Sequence, residues 1–150
     1  MPTSEQTIVK RVTELVAADS VSSPDPSWDS SNRRVINHLS DYAERDGWAV
    51  DIHELESSAD GKANLIATFG NADTLGDEPA GLVLSGHTDT VPFDAGGWAS
   101  DPLKLTERDG RLYGLGSTDM KGCFAVALEA ASGLDPAEFS APWYLLATAA

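Results

Sequence analysis

Apolar residues recur at helical spacing through the first fifty positions of the chain. Ile8, Val12 and Leu15 are three or four residues apart, so they share one helical face and predict a helix over about 4–18. A second set with the same spacing predicts another helix, which begins near an N-cap residue and ends at a glycine. This second set is Val35, Leu39 and Tyr42, with N-cap candidates at 30–32 and the terminating Gly47.

The remaining apolar segments are shorter and predict strands. Trp48, Val50 and Ile52 alternate with other residues, which is typical of a half-exposed strand. Three runs predict further strands, and the glycine-bounded run at 81–85 is expected to be covered on both faces. These runs are 65–69, 81–85 and 143–149, with loops at 70–80 and 92–102 and a helix over about 120–131. The alternation indicates an α/β fold in one domain, with helices on both faces of a mostly parallel or mixed sheet.

Composition limits where such a chain can function. Hydrophobic residues make up 41% of it, and no apolar run approaches the ~20 residues that span a bilayer. The first residues have no basic segment followed by an apolar one, so no secretory signal is expected. The single cysteine, Cys123, excludes an internal disulfide and fits a reducing cytoplasm.

The net charge of −14 is large for 150 residues. Nucleic acids and anionic membranes are disfavoured as partners, because phosphate binding requires clustered Lys and Arg. Metal cations and cationic small molecules are favoured instead. The simplest interpretation of the charge is a solvated acidic surface adapted to high salt.

Two short motifs contain the candidate metal ligands. His87 directly follows a predicted strand, Asp89 lies two residues further on, and Asp119 directly precedes a predicted helix. Zinc binds imidazole nitrogen and carboxylate oxygen. A second carboxylate often accepts the other ring N–H of a ligating histidine, which is the role open to Asp89. Asp119 could bridge two metals ~3.5–4 Å apart.

Each of these residues also has an ordinary structural interpretation. A histidine two residues before an aspartate is common, and Asp119 could serve only as a helix N-cap. The other two histidines, His38 and His53, are expected to be partly buried and exposed, respectively, without a metal. Cys123 is expected to pack in its helix rather than react.

Taken together, the motifs resemble a known family. The segments 85–94, 112–116 and 118–122 occur in the order and spacing of the dinuclear zinc amidohydrolases and exopeptidases. The resemblance covers nearly the whole chain. Within that family, Phe93-Asp94 and the Leu-Tyr-Gly-Leu-Gly form of 112–116 favour members that deacetylate N-acetylornithine over desuccinylases and aminoacylases.

The resemblance implies a role for each candidate. His87 is then a ligand of one zinc, Asp119 bridges two zincs, and Asp89 takes a catalytic role by orienting His87. The peptide bond between Asp119 and Met120 is expected to be cis. Cobalt could replace zinc, the substrate is a small N-acyl amino acid, and the complete protein is expected to form a homodimer.

The same resemblance extends past the end of this sequence. In the family, a strand like 143–149 is followed by an Asp-Glu-Glu run that supplies the general base and another metal ligand, and here Ala150 stands where that run begins. The chain therefore resembles the N-terminal part of a catalytic domain, without the remaining ligands or the dimerisation domain. The isolated chain is expected to be inactive. The alternative is a non-catalytic remnant that pairs with another chain.

The acidic surface leads to a first prediction. Mutual repulsion among the carboxylates is screened as salt rises, because the Debye length falls from about 10 Å at 0.1 M to about 3 Å at 1 M. We expect the midpoint of thermal unfolding to rise over that salt series, as followed by circular dichroism. A midpoint that stays level or falls would contradict salt adaptation.

Overall fold

The computed structural model describes residues 3–56, 61–70 and 81–149. Within these ranges the chain forms helices, two sheets and two short 3₁₀ turns. The helices are α1 (Ser4–Ala17), α2 (Arg33–Arg45) and α3 (Lys121–Ala131). The strands are β1 (Ala49–Glu54), β2 (Ala63–Phe69), β3 (Leu82–His87), β4 (Thr106–Arg108), β5 (Arg111–Tyr113) and β6 (Trp143–Thr148).

Helix α1 has the face and the boundaries that its sequence predicts. Thr3 caps it through a capping box with Gln6, in which each side chain bonds the other residue's backbone N–H. Leu15 and Val16 are fully buried. The helix ends at Ala17, one residue before the predicted end.

Helix α2 begins after Asn32, one of the predicted N-cap residues, but the Asn32 side chain makes no capping bond. Its amide nitrogen instead donates to the Ala63 carbonyl at 2.8 Å and to the Thr88 hydroxyl at 2.7 Å. Its amide oxygen accepts from the Ala63 N–H at 2.9 Å. The buried amide thus joins the start of α2 to β2 and to the residue that follows β3. The nearby Ser31 hydroxyl accepts from the Arg33 N–H at 3.1 Å.

The main sheet is mixed, with strand order β1-β2-β6-β3. Strand β2 is antiparallel to both β1 and β6, whereas β3 is parallel to β6. The predicted α/β class and the mixed sheet are confirmed. The division of the chain into domains stays a prediction.

One face of this sheet packs against the helices. Leu65 and Leu145 on that face are buried in one hydrophobic cluster with Leu15, Leu39 and Phe124, which come from the three helices. The opposite face has partly exposed side chains, as at the paired positions 66 and 146. A helical layer on that second face stays a prediction, because the described helices all pack on the first face.

Strand β3 corrects the expectation of a strand covered on both faces. It forms an edge of the sheet, and Leu82 and Val83 are 45% and 56% exposed. In the part of the chain that the structure describes, no strand pairs with its outer edge. An apolar composition therefore predicted the strand but not its neighbours. The predicted loop at 70–80 lies outside the described residues except for Gly70.

A short hairpin of β4 and β5 was not predicted. Its turn is Asp109-Gly110, and both residues have positive φ, 53° and 68°. An Asp-Gly pair at such angles is the usual turn of a two-residue hairpin. The signal was therefore present in the sequence.

The bonding of Asn32 leads to a second prediction. Replacing Asn32 by alanine removes its bonds and leaves the buried groups of Ala63 and Thr88 without those partners, at a cost of ~1–3 kcal/mol for each group left unsatisfied. We expect Asn32→Ala to lower the free energy of unfolding by at least about 3 kcal/mol in urea titrations. Ser31→Ala, which removes the bonds of this partly exposed hydroxyl to the Arg33 N–H and to the Gly61 carbonyl, should cost about 1 kcal/mol. Equal losses in the two variants would contradict a special role of the Asn32 amide.

Candidate metal centre

His87 and Asp119 come together from two different elements. His87 is the last residue of β3, and Asp119 lies two residues before α3. The ring Nε2 of His87 lies 3.0 Å from Oδ1 of Asp119. The two side chains are 38% and 86% exposed, so their meeting point is open to solvent. The sequence prediction that these two residues converge agrees with this geometry.

The other ring nitrogen of His87 determines what this contact means. Nδ1 lies 3.0 Å from the backbone carbonyl oxygen of Asp89. A carbonyl oxygen can only accept a hydrogen bond, so Nδ1 must carry the proton. In a neutral imidazole the lone pair is then on Nε2, directed at a carboxylate oxygen. Two acceptors at this distance repel each other unless a proton or a cation lies between them.

The pKa of His87 concerns the first of these two cases, a proton between Nε2 and the Asp119 carboxylate. Partial burial disfavours the charged ring, but the bonds to the Asp89 carbonyl and to the Asp119 carboxylate, with the charges of both aspartates, outweigh burial. Together they raise the pKa of His87 above its usual value. The site therefore attracts positive charge to Nε2.

Asp89 contacts His87 through a different atom from the one expected. The carboxylate Oδ1 of Asp89 lies 3.7 Å from Nδ1, beyond hydrogen-bond distance, whereas its backbone carbonyl makes the bond. This Oδ1 is buried and has no hydrogen-bond partner among the described residues. Asp89 thus fixes the ring tautomer as expected of an orienting residue, but with its main chain.

Buried polar bonds hold the loop behind His87. Thr88 is fully buried, and its N–H and its hydroxyl donate to the Thr148 carbonyl at 2.8 and 2.9 Å. The Ser20 hydroxyl donates to the Thr88 carbonyl at 2.7 Å. The Thr90 N–H donates to the Ser20 carbonyl at 2.9 Å. These bonds, with those of Asn32, fasten the loop to β6 and to the segment after α1.

The turn that bears Asp119 is packed too closely for larger residues. An added Cβ at Gly122 would lie 2.1 Å from the Ser117 carbonyl oxygen, and one at Gly86 would lie 2.6 Å from the end of Met120. The peptide bond between Asp119 and Met120 is cis, as the resemblance implied. Gly86 therefore lets β3 and α3 approach each other, and Gly122 lets the turn at Ser117 pack against the start of α3.

Asp119 also borders a surface cleft of ≈ 700 Å³. The cleft runs from the aromatic ring of Trp98 past Arg111 to the turn at 116–119. It is large enough for a small molecule to reach the exposed carboxylate.

The other candidate residues lie elsewhere. His38 stacks on Tyr42 with ring centroids 6.0 Å apart, and His53 is an exposed residue 3.0 Å from the Asp51 carboxylate. Cys123 is exposed, so the expectation that it packs in the helix was wrong. Across residues 3–56, 61–70 and 81–149, no group of three or more His, Cys, Asp or Glu side chains could enclose a metal ion. The described part therefore offers a pair of potential ligands, not a closed site.

Sequence reasoning missed the residues that support this pair. Asn32, Thr88 and Lys121 are each at most 1% exposed, although their side chains are polar or charged. Lys121 lies in the recognised motif at 118–122. A lysine directly before an apolar helix was the signal that could have identified it. Nothing in the local pattern identified Asn32.

Known proteins are similar to this chain in sequence. Residues 83–150 match peptidase family M20/M25/M40. Acetylornithine deacetylase from Pasteurella multocida is 47% identical over 135 residues, and that from Vibrio vulnificus is 48% identical over 134. From residue 83 onwards the chain is therefore similar to this family. The matches cover 90% and 89% of this chain but only 34% and 33% of those relatives.

Solved structures of similar fold extend the comparison. Human carnosine dipeptidase 1 superposes with a TM-score of 0.72 at 27% identity, over 94% of this chain and 31% of that protein. The dipeptidase Dug1p of Saccharomyces cerevisiae has a TM-score of 0.69 at 19% identity, over 97% and 32%, and shows the fold alone. The chain therefore spans about one third of the length of the relatives it matches. None of its described helices is long and apolar enough to cross a membrane.

The close packing at Gly122 gives a third prediction. In a free helix, alanine would be favoured over glycine by ~1 kcal/mol. Here the added methyl group overlaps the Ser117 carbonyl, and such overpacking costs ~1–3 kcal/mol. With the helix gain subtracted from the overpacking cost, we expect Gly122→Ala to lower the free energy of unfolding by up to about 2 kcal/mol in denaturant titrations.

The exposed residue Ala130 in the same helix provides the control. Ala130→Gly should follow helix propensity alone and cost about 1 kcal/mol. If Gly122→Ala were more stable than wild type, the turn at Ser117 could move away without a loss of stability, and the prediction would be wrong.

Proposed function

We propose that this chain is the first part of the catalytic domain of a metal-dependent amide hydrolase. The observation that supports this function best is the contact of His87 Nε2 with the Asp119 carboxylate at 3.0 Å. Because the Asp89 carbonyl requires the proton on Nδ1, neutral His87 presents a lone pair to an anionic oxygen. An imidazole nitrogen beside a carboxylate oxygen is a donor set that suits zinc.

In this proposal His87 and Asp119 would hold zinc, with Asp119 shared between two zincs as the family resemblance implies. The bound metal, zinc or cobalt, would lower the pKa of a water molecule towards ~7 and polarise an acyl carbonyl. The chain's own groups prepare the site. The Asp89 carbonyl holds the tautomer, the Asn32–Thr88–Ser20 bonds hold the loop, and the exposed Asp119 faces the cleft. The remaining ligands and the general base would come from residues beyond this sequence.

The proposed substrate is N-acetylornithine, which would be hydrolysed to ornithine and acetate in arginine biosynthesis. Its support is the name shared by relatives that are 43–48% identical, acetylornithine deacetylase. A cleft that borders Asp119 is compatible with a small N-acyl amino acid. The reaction breaks the amide C–N bond, places the hydroxyl group of water on the acyl carbon and leaves the amine on ornithine.

The role as one part of a longer catalytic domain has support in the surface. The outer edge of β3 exposes Leu82 and Val83, and the neighbouring α3 exposes Val126 at 52%. A helix that is apolar on all sides is normally buried. Further strands and helices of the same domain would cover this surface. A cytoplasmic homodimer is proposed for the complete protein on the family resemblance.

A fourth prediction tests this function in the full gene product. We expect His87→Ala and Asp119→Asn each to reduce bound zinc and to lower kcat for N-acetylornithine at least ~100-fold, because each removes a metal ligand. Zinc content is measured by elemental analysis, and ornithine release by an amine assay. N-succinyl-diaminopimelate and other N-acyl amino acids are assayed in parallel.

His53→Ala is the matched control, since it removes an exposed histidine from β1. It should retain wild-type zinc content and turnover. The proposal fails if the His87 and Asp119 variants keep both zinc and activity. Faster release from a succinylated or another acylated substrate would revise the substrate but retain the site.

A further inference from the structure

Lys121 is among the largest fully buried side chains in the described residues, at 1% exposure. Lysine is almost never fully buried without a partner. Its Nζ donates to the Ala18 carbonyl at 2.7 Å, across 103 positions of sequence. Burial lowers the pKa of Lys121 to about 8, although the carboxylates of Asp19 and Asp89 oppose this effect. An interior cation of this kind requires an explanation beyond packing.

The position of Lys121 links it to both parts of the candidate site. It is the first residue of α3, two residues after Asp119. An added Cβ at Gly116 would lie 3.1 Å from its Cδ, so its stem packs directly under the turn at 116–119. Its ammonium also acts electrostatically on Asp89, whose buried Oδ1 has no hydrogen-bond partner among the described residues.

The segment that receives the ammonium also holds the loop of His87. Ala18 accepts the bond from Lys121, and Ser20 bonds both the Thr88 carbonyl and the Thr90 N–H. Val21 and Thr90 form an isolated parallel bridge. Residues 18–22 therefore form a common support to which the loop after β3 and the start of α3 are both attached.

We propose that Lys121 is a positioning residue of the metal pair, which holds Asp119 against His87 through the Ala18 carbonyl and balances the buried carboxylate of Asp89. This inference rests on the proposed function, because it assigns Lys121 to the same site. Lys121 itself is not placed in contact with substrate or metal. A methionine of similar size would fill the same space without the desolvation cost of a buried charge. Packing alone therefore does not account for the amine, and its bond to the Ala18 carbonyl points to a role in the site.

The experiment compares three substitutions in the full gene product. Lys121→Arg keeps a charge, Lys121→Gln keeps a donor without a charge, and Lys121→Met keeps neither. Zinc affinity is measured by competition with a chelator. We expect the Gln and Met variants to bind zinc 10–100-fold more weakly, as when groups that orient metal ligands are removed. The Arg variant should lie closest to wild type.

Arg11→Met is the matched control, because Arg11 is another buried cation. It is 5% exposed and contacts Asp46 and Glu129. Glu129 is eight residues along α3 from Lys121, or ~12 Å. Both Arg11→Met and Lys121→Met should lower the thermal midpoint, because each leaves a buried group without its partner. Only Lys121→Met should weaken zinc binding, whereas Arg11→Met should keep wild-type zinc affinity.

A second measurement does not depend on zinc. In the metal-free protein, the ring nitrogen chemical shifts of His87 should change in Lys121→Gln and Lys121→Met, while those of His38 and His53 stay constant. If wild type binds no zinc, the proposed function fails, and these shifts still decide the role of Lys121. Any folded Gln or Met variant with wild-type His87 shifts or wild-type zinc affinity overturns the inference. If Lys121→Met does not fold, the same criteria apply to Lys121→Gln.

Discussion

The parallel pairing of β3 with β6 is the constraint on which the candidate site depends. Parallel neighbours cannot be joined by a tight hairpin, so the chain must cross over through an intervening helix. The helix used is α3, and its start approaches the carboxyl end of β3. His87 at that end and Asp119 before the helix therefore meet although they are 32 positions apart. Gly86 permits this close approach, because a Cβ there would meet the end of Met120.

Behind this meeting point the interior is unusually polar. The side chains of Asn32, Thr88 and Ser20 are buried and bonded, and Lys121 adds a buried charge. Such groups are costly unless each finds a partner. Their bonds tie α2, β2, β6 and the segment after α1 to the loop of His87. A site that must hold exposed ligands in one geometry gains rigidity from this arrangement.

The exposed apolar surface beside β3 and α3 concerns the rest of the domain rather than the candidate site. Leu82, Val83 and Val126 are exposed at one side of the molecule, where β3 and α3 have no further neighbour among the described residues. The relatives are about three times longer than this chain, and the proposed function needs ligands that the described pair does not supply. Both observations fit a catalytic domain whose remaining part supplies the covering elements and the missing ligands.

The sequence by itself determined the helices, most strands and the two candidate ligands, because these follow from local periodicity and from motifs with specific spacing. Helix α1 and the pair His87 and Asp119 were all predicted in this way. Tertiary structure alone decided that β3 lies at an edge and that the Asp89 carbonyl, not its carboxylate, bonds His87. It also decided that Lys121 and Asn32 are buried supports. Such outcomes depend on which distant segments become neighbours, and a local pattern of apolar and polar residues does not contain that information.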